Sequence, residues 1–388
     1  MPRKTIVTRG IVLAAVVTLA VSACTPPLPP DVLAAQAENT IKCQKGTQQV
    51  AVPDDFAGAM GMVSGNLAGV CPDQAIADAA PGEPASLQIV DHAPSAADMA
   101  AFKKTCPSGV IVVPAFGYGV ALAYNIIGLE GLVLPPKVIA GILSGAITSW
   151  EDPAIAAANP GVDLTGLPEI VVASTETPSG SVEAMTTWLA KEVPADWTAG
   201  TLSTLDASTK LPTVADLTGE LIATEGTVAV LPIFEAVANS VPVASLPVKD
   251  VVIAPDDTQL LKVGIGAVNV TKDEAGNMIA SPAVGGVPVE GNFDLAASKI
   301  VLASGQPLVG WPVVGIAHMM VCDDPKDPLP LSTAQYIVRL AGQGALETFG
   351  VTPLPEPIRV QTFVPLKVTI ATDGATIAPS GGASATPS

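Results

Sequence analysis

The sequence predicts an α/β fold with mainly parallel sheets, and three observations carry that prediction. Short runs rich in Val and Ile recur at residues 86–90, 110–114, 169–173 and 226–231. Between them lie stretches with helical spacing, such as Val138, Ile139, Ile142 and Leu143. Runs of the first kind read as buried strands and stretches of the second as amphipathic helices, and their alternation is the mark of α/β architecture. Third, 49% of the 388 residues are hydrophobic and only 14% charged. Such a chain can bury a large core and is long enough for two ordinary domains.

The N-terminal 23 residues read as a targeting segment. Arg3, Lys4 and Arg9 precede an apolar run over residues 11–21, which ends at Val21-Ser22-Ala23-Cys24. The run is too short to span a bilayer comfortably. The pattern resembles a lipoprotein signal with Cys24 as the lipid-bearing residue, so the chain is expected outside the cytoplasm, anchored to the cell membrane through that lipid. Residues 24–42 are expected to be anchor and linker, beginning with a Pro-rich tether. Four further cysteines remain: Cys43, Cys71, Cys106 and Cys322. An even number outside the cytoplasm points to two disulfides, and of three possible pairings we favour Cys43–Cys71 with Cys106–Cys322. No C-x-x-C pair is present, so no zinc site is expected.

The remaining elements follow in order. Residues 48–52 read as a strand and residues 56–62 as a helical patch. After the strand at 86–90, Ser95 and Asp98 have the spacing of a capping box that opens a helix. The strand at 110–114 is expected to give way to a small-residue loop at 116–119 and to resume at 120–125. Helices are expected at 135–144, 182–192, 233–239 and 337–349. Residues 373–388 are mostly Gly, Ser, Ala, Pro and Thr and read as a disordered tail.

The formal net charge is −18, with no Lys/Arg-rich run. That excludes a basic nucleic-acid surface. Enzyme chemistry finds little to work with. The chain has two histidines, His92 and His318, and lacks the G-x-S-x-G, H-E-x-x-H and P-loop patterns. His318, Met320 and Cys322 alternate onto one face of an apolar run, which reads as core rather than as a metal site. We expect no enzyme, no cofactor and no metal.

The chemistry centres on residues 143–181. The apolar run at 169–173 empties into the polar loop Ser174 to Ser181, and a helix opens just after. A helix start has free N–H groups and a partial positive charge, so this layout can hold an anion. Upstream of the loop, Ile147-Thr148-Ser149-Trp150-Glu151-Asp152-Pro153-Ala154-Ile155-Ala156 continues to Asn159-Pro160-Gly161-Val162. This stretch resembles the phosphate-binding protein of bacterial ABC phosphate importers, a periplasmic-type solute-binding family. The resemblance extends over residues 110–246 and 313–355 and is poor before Ser86.

The resemblance implies a type II-like fold of two lobes, each with a sheet, joined by hinge strands and closing on a ligand between them. On that template residues 43–115 and 263–365 form the first lobe and residues 116–262 the second. It also implies a small oxyanion, phosphate or similar, as ligand and an ABC importer permease as partner. The family's central loop reads roughly H-R-S-D-G-S-G-T. Here its end is kept as Ser179, Gly180 and Ser181, the loop is about one residue longer, and Ser174 stands in place of the Arg. The family's Ser-Asp-Ala-Pro, whose Asp accepts the phosphate proton, corresponds to Asp91-His92-Ala93-Pro94. Aligned on Ala-Pro, His92 takes the Asp position; shifted by one, Asp91 does. The family's S-G-G-G has no match. The candidate ligand-binding residues are therefore Ser179, Gly180, Ser181, Asp91 and His92. With the Arg missing, a second reading stays open: a binding-protein fold that has lost anion transport and serves as a surface interaction, sensory or scaffold protein.

Overall fold

The computed structural model describes residues 30–248, 251–255, 268–282 and 310–368. The signal segment, Cys24 and the tail at 373–388 lie outside the described residues. The apolar runs form one eight-stranded sheet in the order β2-β1-β3-β12-β4-β7-β5-β6. These strands are β1 (Gly46–Ala51), β2 (Gln74–Asp78), β3 (Leu87–Val90), β4 (Val110–Tyr124), β5 (Val171–Thr175), β6 (Thr209–Leu211), β7 (Thr227–Pro232) and β12 (Val314–Cys322). Two small antiparallel pairs stand apart, β8 (Leu246–Val248) with β9 (Val251–Ile253) and β10 (Val268–Lys272) with β11 (Met278–Pro282).

The flanks of the sheet are parallel, β1 with β2 and β3 on one side and β5 with β6 and β7 on the other. The middle is antiparallel: β12 pairs with β3 and β4, and β4 with β7. Strand β4 joins the two flanks. It pairs with β12 from Val110 to Gly119 and with β7 from Val120 to Tyr124. The molecule thus has a first half built on β1–β3, β12 and the start of β4, and a second half built on the end of β4 with β5–β7.

The loop expected at residues 116–119 does not exist, because β4 runs through it without a break. Gly117 and Gly119 both lie within the β4–β12 ladder, and Gly117 takes a further backbone partner on its other edge. Gly117 exchanges two backbone hydrogen bonds of 2.8 Å with Thr352, and Tyr118 between the glycines is buried. Opposite Tyr118 in the ladder sits Gly315, where a Cβ would lie 2.1 Å from Tyr118 Cζ. The missing side chain makes room for the phenol ring.

Helices cover the sheet where the sequence places apolar faces and caps. They are α1 (Pro30–Asn39), α2 (Ala59–Leu67), α3 (Ala96–Thr105), α4 (Pro136–Leu143), α5 (Pro153–Ala158), α6 (Gly180–Glu192), α7 (Val214–Ala223), α8 (Ile233–Ala238), α9 (Leu329–Ile337), α10 (Leu340–Phe349) and α11 (Glu356–Thr362). The Ser95–Asp98 capping box opens α3, and Asp152 caps α5 with Pro153 in its first turn. Trp150, in the stretch that carries the family resemblance, is fully buried against Tyr124. The single helix expected at 337–349 is in fact the last residue of α9 followed, after a break at 338–339, by the whole of α10. Arg339 between them is extended, which frees its guanidinium for other work.

That work concerns α1. Arg339 donates to the carbonyls of Gln335, Ala37 and Thr40 at 2.7, 3.2 and 2.6 Å. Arg359 pairs with Glu38 and Glu356 and donates to the Val338 carbonyl at 2.9 Å. The described part of the expected linker, residues 30–42, is therefore mostly a docked helix. Buried donors and acceptors demand partners, and here the guanidiniums meet helix-end carbonyls. The disulfides are the favoured pair, Cys43–Cys71 and Cys106–Cys322, with Cα separations of 5.4 and 5.2 Å. The first staples the chain after α1 to the end of α2, and the second ties α3 to the end of β12. Among the described residues no helix is long and apolar enough to cross a membrane.

Candidate functional site

The polar loop after β5 ends at Ser179, whose extended backbone and side chain cap α6. Its hydroxyl accepts from the N–H groups of Ser181 and Val182 at 3.2 and 3.4 Å. That leaves the Gly180 N–H and the Ser181 hydroxyl pointing across to the first half. Both meet carboxylates. The Gly180 N–H donates to Asp91 Oδ2 at 2.6 Å, and the Ser181 hydroxyl donates to Asp55 Oδ2 at 3.0 Å. Asp91 follows β3, and Asp55 lies in a 3-10 turn at Asp54–Phe56, just after β1. Both occupy the ends of parallel strands, where open α/β sheets expose their crevices.

The five candidate residues are thus brought together. His92 Nδ1 lies 2.7 Å from Asp91 Oδ1, and Nε2 lies 3.2 Å from Asp98 Oδ2. The hydrogen bond to Asp91 and its charge, with the hydrogen bond to Asp98, raise the imidazole pKa to about 9 against the opposing effect of burial. His92 is therefore a cation at neutral pH. Asp98 is held in place by Ser95, and despite its partial burial the bonds from Ser95 and His92 keep it below its ordinary value. Tyr118 donates its hydroxyl to the Asp91 carbonyl at 2.6 Å and fixes the loop from below.

Asp55 escaped the sequence reading. It is 7% exposed and Asp91 8%. Burial, then the nearby Asp91 charge, raises its pKa to about 7, while the bond from Ser181 opposes the shift. A carboxylate in low dielectric beside a like charge holds its proton. Asp54 also reaches across the halves, accepting from the Val214 N–H at the start of α7 at 2.5 Å. The available signal was Asp54-Asp55-Phe56 at the end of an expected strand.

Packing at the α6 tip is tight. A Cβ on Gly180 would lie 2.5 Å from Asp91 Cγ and 2.6 Å from the Tyr118 hydroxyl. Beside this contact a cavity of about 150 Å³ opens, lined by Asp91, His92, Gly180, Trp188 and Val314 among others. Ser174, in place of the family's Arg, is buried and its hydroxyl has no partner among the described residues. The described arginines, Arg339 and Arg359, hold α1, so no guanidinium serves the α6 tip. The site is a helix start already contacted by carboxyl oxygens, with one imidazolium behind them. A helix start of this kind stabilises negative charge.

Both ring nitrogens of His318 meet backbone groups. Burial lowers its pKa to about 4, so its ring is neutral. Nε2 accepts from the Ala280 N–H at 3.0 Å while Nδ1 faces the carbonyls of His92 and Ile316. Two facing carbonyls assign the proton to Nδ1. Cys322 is in a disulfide. Among the described residues no group of three His, Cys, Asp or Glu side chains could hold a metal ion.

No protein-family model matches the chain. Among curated proteins it is 24% identical over 261 residues to phosphate-binding protein PstS 2 of Mycobacterium tuberculosis, an alignment covering 66% of each chain. The chain therefore spans just under two thirds of that relative's length. A shorter segment of 75 residues is 40% identical to phosphate-binding protein PstS 3 of Mycobacterium leprae, covering 19% of this chain and 20% of the relative. Among solved structures, a high-affinity periplasmic phosphate-binding protein bound with phosphate superposes with a TM-score of 0.57 at 14% identity, covering 82% of this chain and 93% of the other. A phosphate ABC transporter substrate-binding protein from Clostridium perfringens gives 0.51 at 13% identity, covering 80% and 100%. These matches fix the two-lobed fold, and the sequence kinship runs to the same proteins. The chain thus shares the fold of periplasmic phosphate-binding proteins and is similar in sequence, at 24% identity, to proteins of that name.

Proposed function

We propose that the protein is an extracytoplasmic, lipid-anchored solute-binding protein that takes phosphate or another small oxyanion between its halves and presents it to an ABC importer. The observation that carries this reading is the Gly180 N–H donated across the halves to an anionic oxygen at 2.6 Å. The α6 tip is built to hold negative charge, and the relatives with which it shares sequence are named phosphate-binding proteins. In the bound arrangement the Gly180 N–H and the Ser181 hydroxyl donate to the anion, with Ser179 ordering the tip. Asp91 accepts a proton carried by the ligand. His92, charged and adjacent, supplies part of the positive potential that the family draws from its Arg. The anchor is Cys24, in the same arrangement as a lipoprotein signal. The kinship supports this reading over a surface, sensory or scaffold role without transport.

Calorimetry with phosphate, sulfate and organic phosphates tests it on the folded protein. Saturable binding of phosphate that weakens in Ser181→Ala is the expected result. Silence from every anion on a well-folded sample would exclude it.

A further inference from the structure

The donors that an oxyanion needs are already engaged. Asp91 accepts from the Gly180 N–H, Asp55 accepts from the Ser181 hydroxyl, and Asp54 accepts from the Val214 N–H. All three carboxylates belong to the first half, and all three partners open helices of the second. Asp91 lies so close that even a methyl group on Gly180 would collide with it, so no anion fits between them in this arrangement. Ligand and carboxylate are therefore mutually exclusive at the tip.

We propose that Asp54, Asp55 and Asp91 form an internal latch. It closes the two halves without ligand and competes with the incoming oxyanion for the tip of α6. Asp91 then has two positions, on the Gly180 N–H when the cleft is empty and against the ligand's proton when it is filled. Asp55 acts only in the first and makes it tighter. It therefore sets affinity without contributing to the bound state. A ligand that must open a latched form binds with an apparent affinity reduced by the fraction of molecules that are unlatched. The ligand part of this proposal rests on the oxyanion reading above, whereas the latch itself rests on the three contacts.

The test uses Asp55→Ala and the more exposed Asp54→Ala, leaving Asp91 intact because it also meets the ligand. With phosphate as probe at pH 7, Asp55→Ala should bind about tenfold more tightly than the parent if latched molecules outnumber open ones about ten to one, and Asp54→Ala should bind more tightly by a smaller factor. Should Asp55→Ala fail to fold, Asp54→Ala carries the same test. Unchanged or weaker phosphate binding in the folded variants overturns the competition. Small-angle scattering without ligand decides the latch separately. The Asp54→Ala/Asp55→Ala double variant should have a larger radius of gyration than the parent, and an equal radius overturns the latch. If no protein binds phosphate, the transport reading fails while the scattering result still decides the latch.

Discussion

Two buried charge clusters in this molecule solve the same problem in opposite ways. At the clasp of α1, Arg339 and Arg359 are almost wholly buried, and each meets carboxylates or several carbonyls. Every guanidinium charge there has a matching acceptor. At the α6 tip two carboxylates are buried with donors that are neutral, apart from His92 beside Asp91. At the clasp carboxylates and carbonyls face the guanidiniums, whereas at the tip Asp55 retains its proton near neutrality. The difference teaches that a buried charge is fixed by the charge of its partners, and that a cleft left without a guanidinium becomes sensitive to protons.

The sharpest way to break this comparison is Arg359→Ala. The variant takes the charged partner from Glu38, which keeps the Leu340 N–H at 2.9 Å, and removing one partner of a buried pair costs about 3–5 kcal/mol. Denaturant unfolding should show a loss of that size, and a loss below about 1 kcal/mol would put the clasp among exposed, weak pairs.

Next comes Asp55→Asn. The native state holds the Asp55 proton up to about pH 7, whereas the unfolded chain releases it near its ordinary value of 3.8. Between those limits the native state binds more protons, so the parent loses stability as pH rises from 4 to 7. The asparagine variant escapes that loss. Its advantage should be near zero below pH 4 and grow to as much as about 4 kcal/mol above pH 7. Melting curves across pH 3.5–8 check this, and a pH-independent difference would mean that Asp55 does not bind its proton as described.

Gly180→Ala drives a methyl group into Asp91 and Tyr118 and should cost about 1–3 kcal/mol by overpacking. Because the clash lies between the halves, hydrogen exchange should rise first in the first turn of α6. Exchange that rises evenly over the molecule would remove the tip from its role as a cross-half contact. The smallest effect belongs to Ser95→Ala, which removes the cap of α3 and should cost about 1 kcal/mol in melting experiments. It should also loosen Asp98 and lower the His92 pKa, read by NMR titration. An unchanged pKa would show that Asp91 alone sets that charge.

Much of the fold was legible because strands and helices announce themselves through period. Residues 226–231 and 182–192 became β7 and most of α6, and Ser95 with Asp98 became a full capping box. The disulfide pairing agreed with the favoured choice. What misled was glycine. Gly117 and Gly119 looked like a loop, but both sit in the β4–β12 ladder and Gly117 also pairs with Thr352, partners set far along the chain. Ser179, Gly180 and Ser181 were legible because a helix start needs no tertiary information to be recognised, whereas Asp91 and His92 stood out only through the resemblance to the family's Ser-Asp-Ala-Pro. Asp55 was not, since nothing local distinguishes an acid that caps a turn from one that crosses to another helix 126 residues away.

The clasp on α1 has a mechanical side. Glu38 and the carbonyls of Ala37 and Thr40 are gripped by arginines from α11 and from the junction of α9 with α10, so the two ends of the described chain are sewn together. A tug on the segment ahead of Pro30 would be borne by those guanidiniums, and after them by the Cys43–Cys71 bridge, before any strand of the central sheet felt the load.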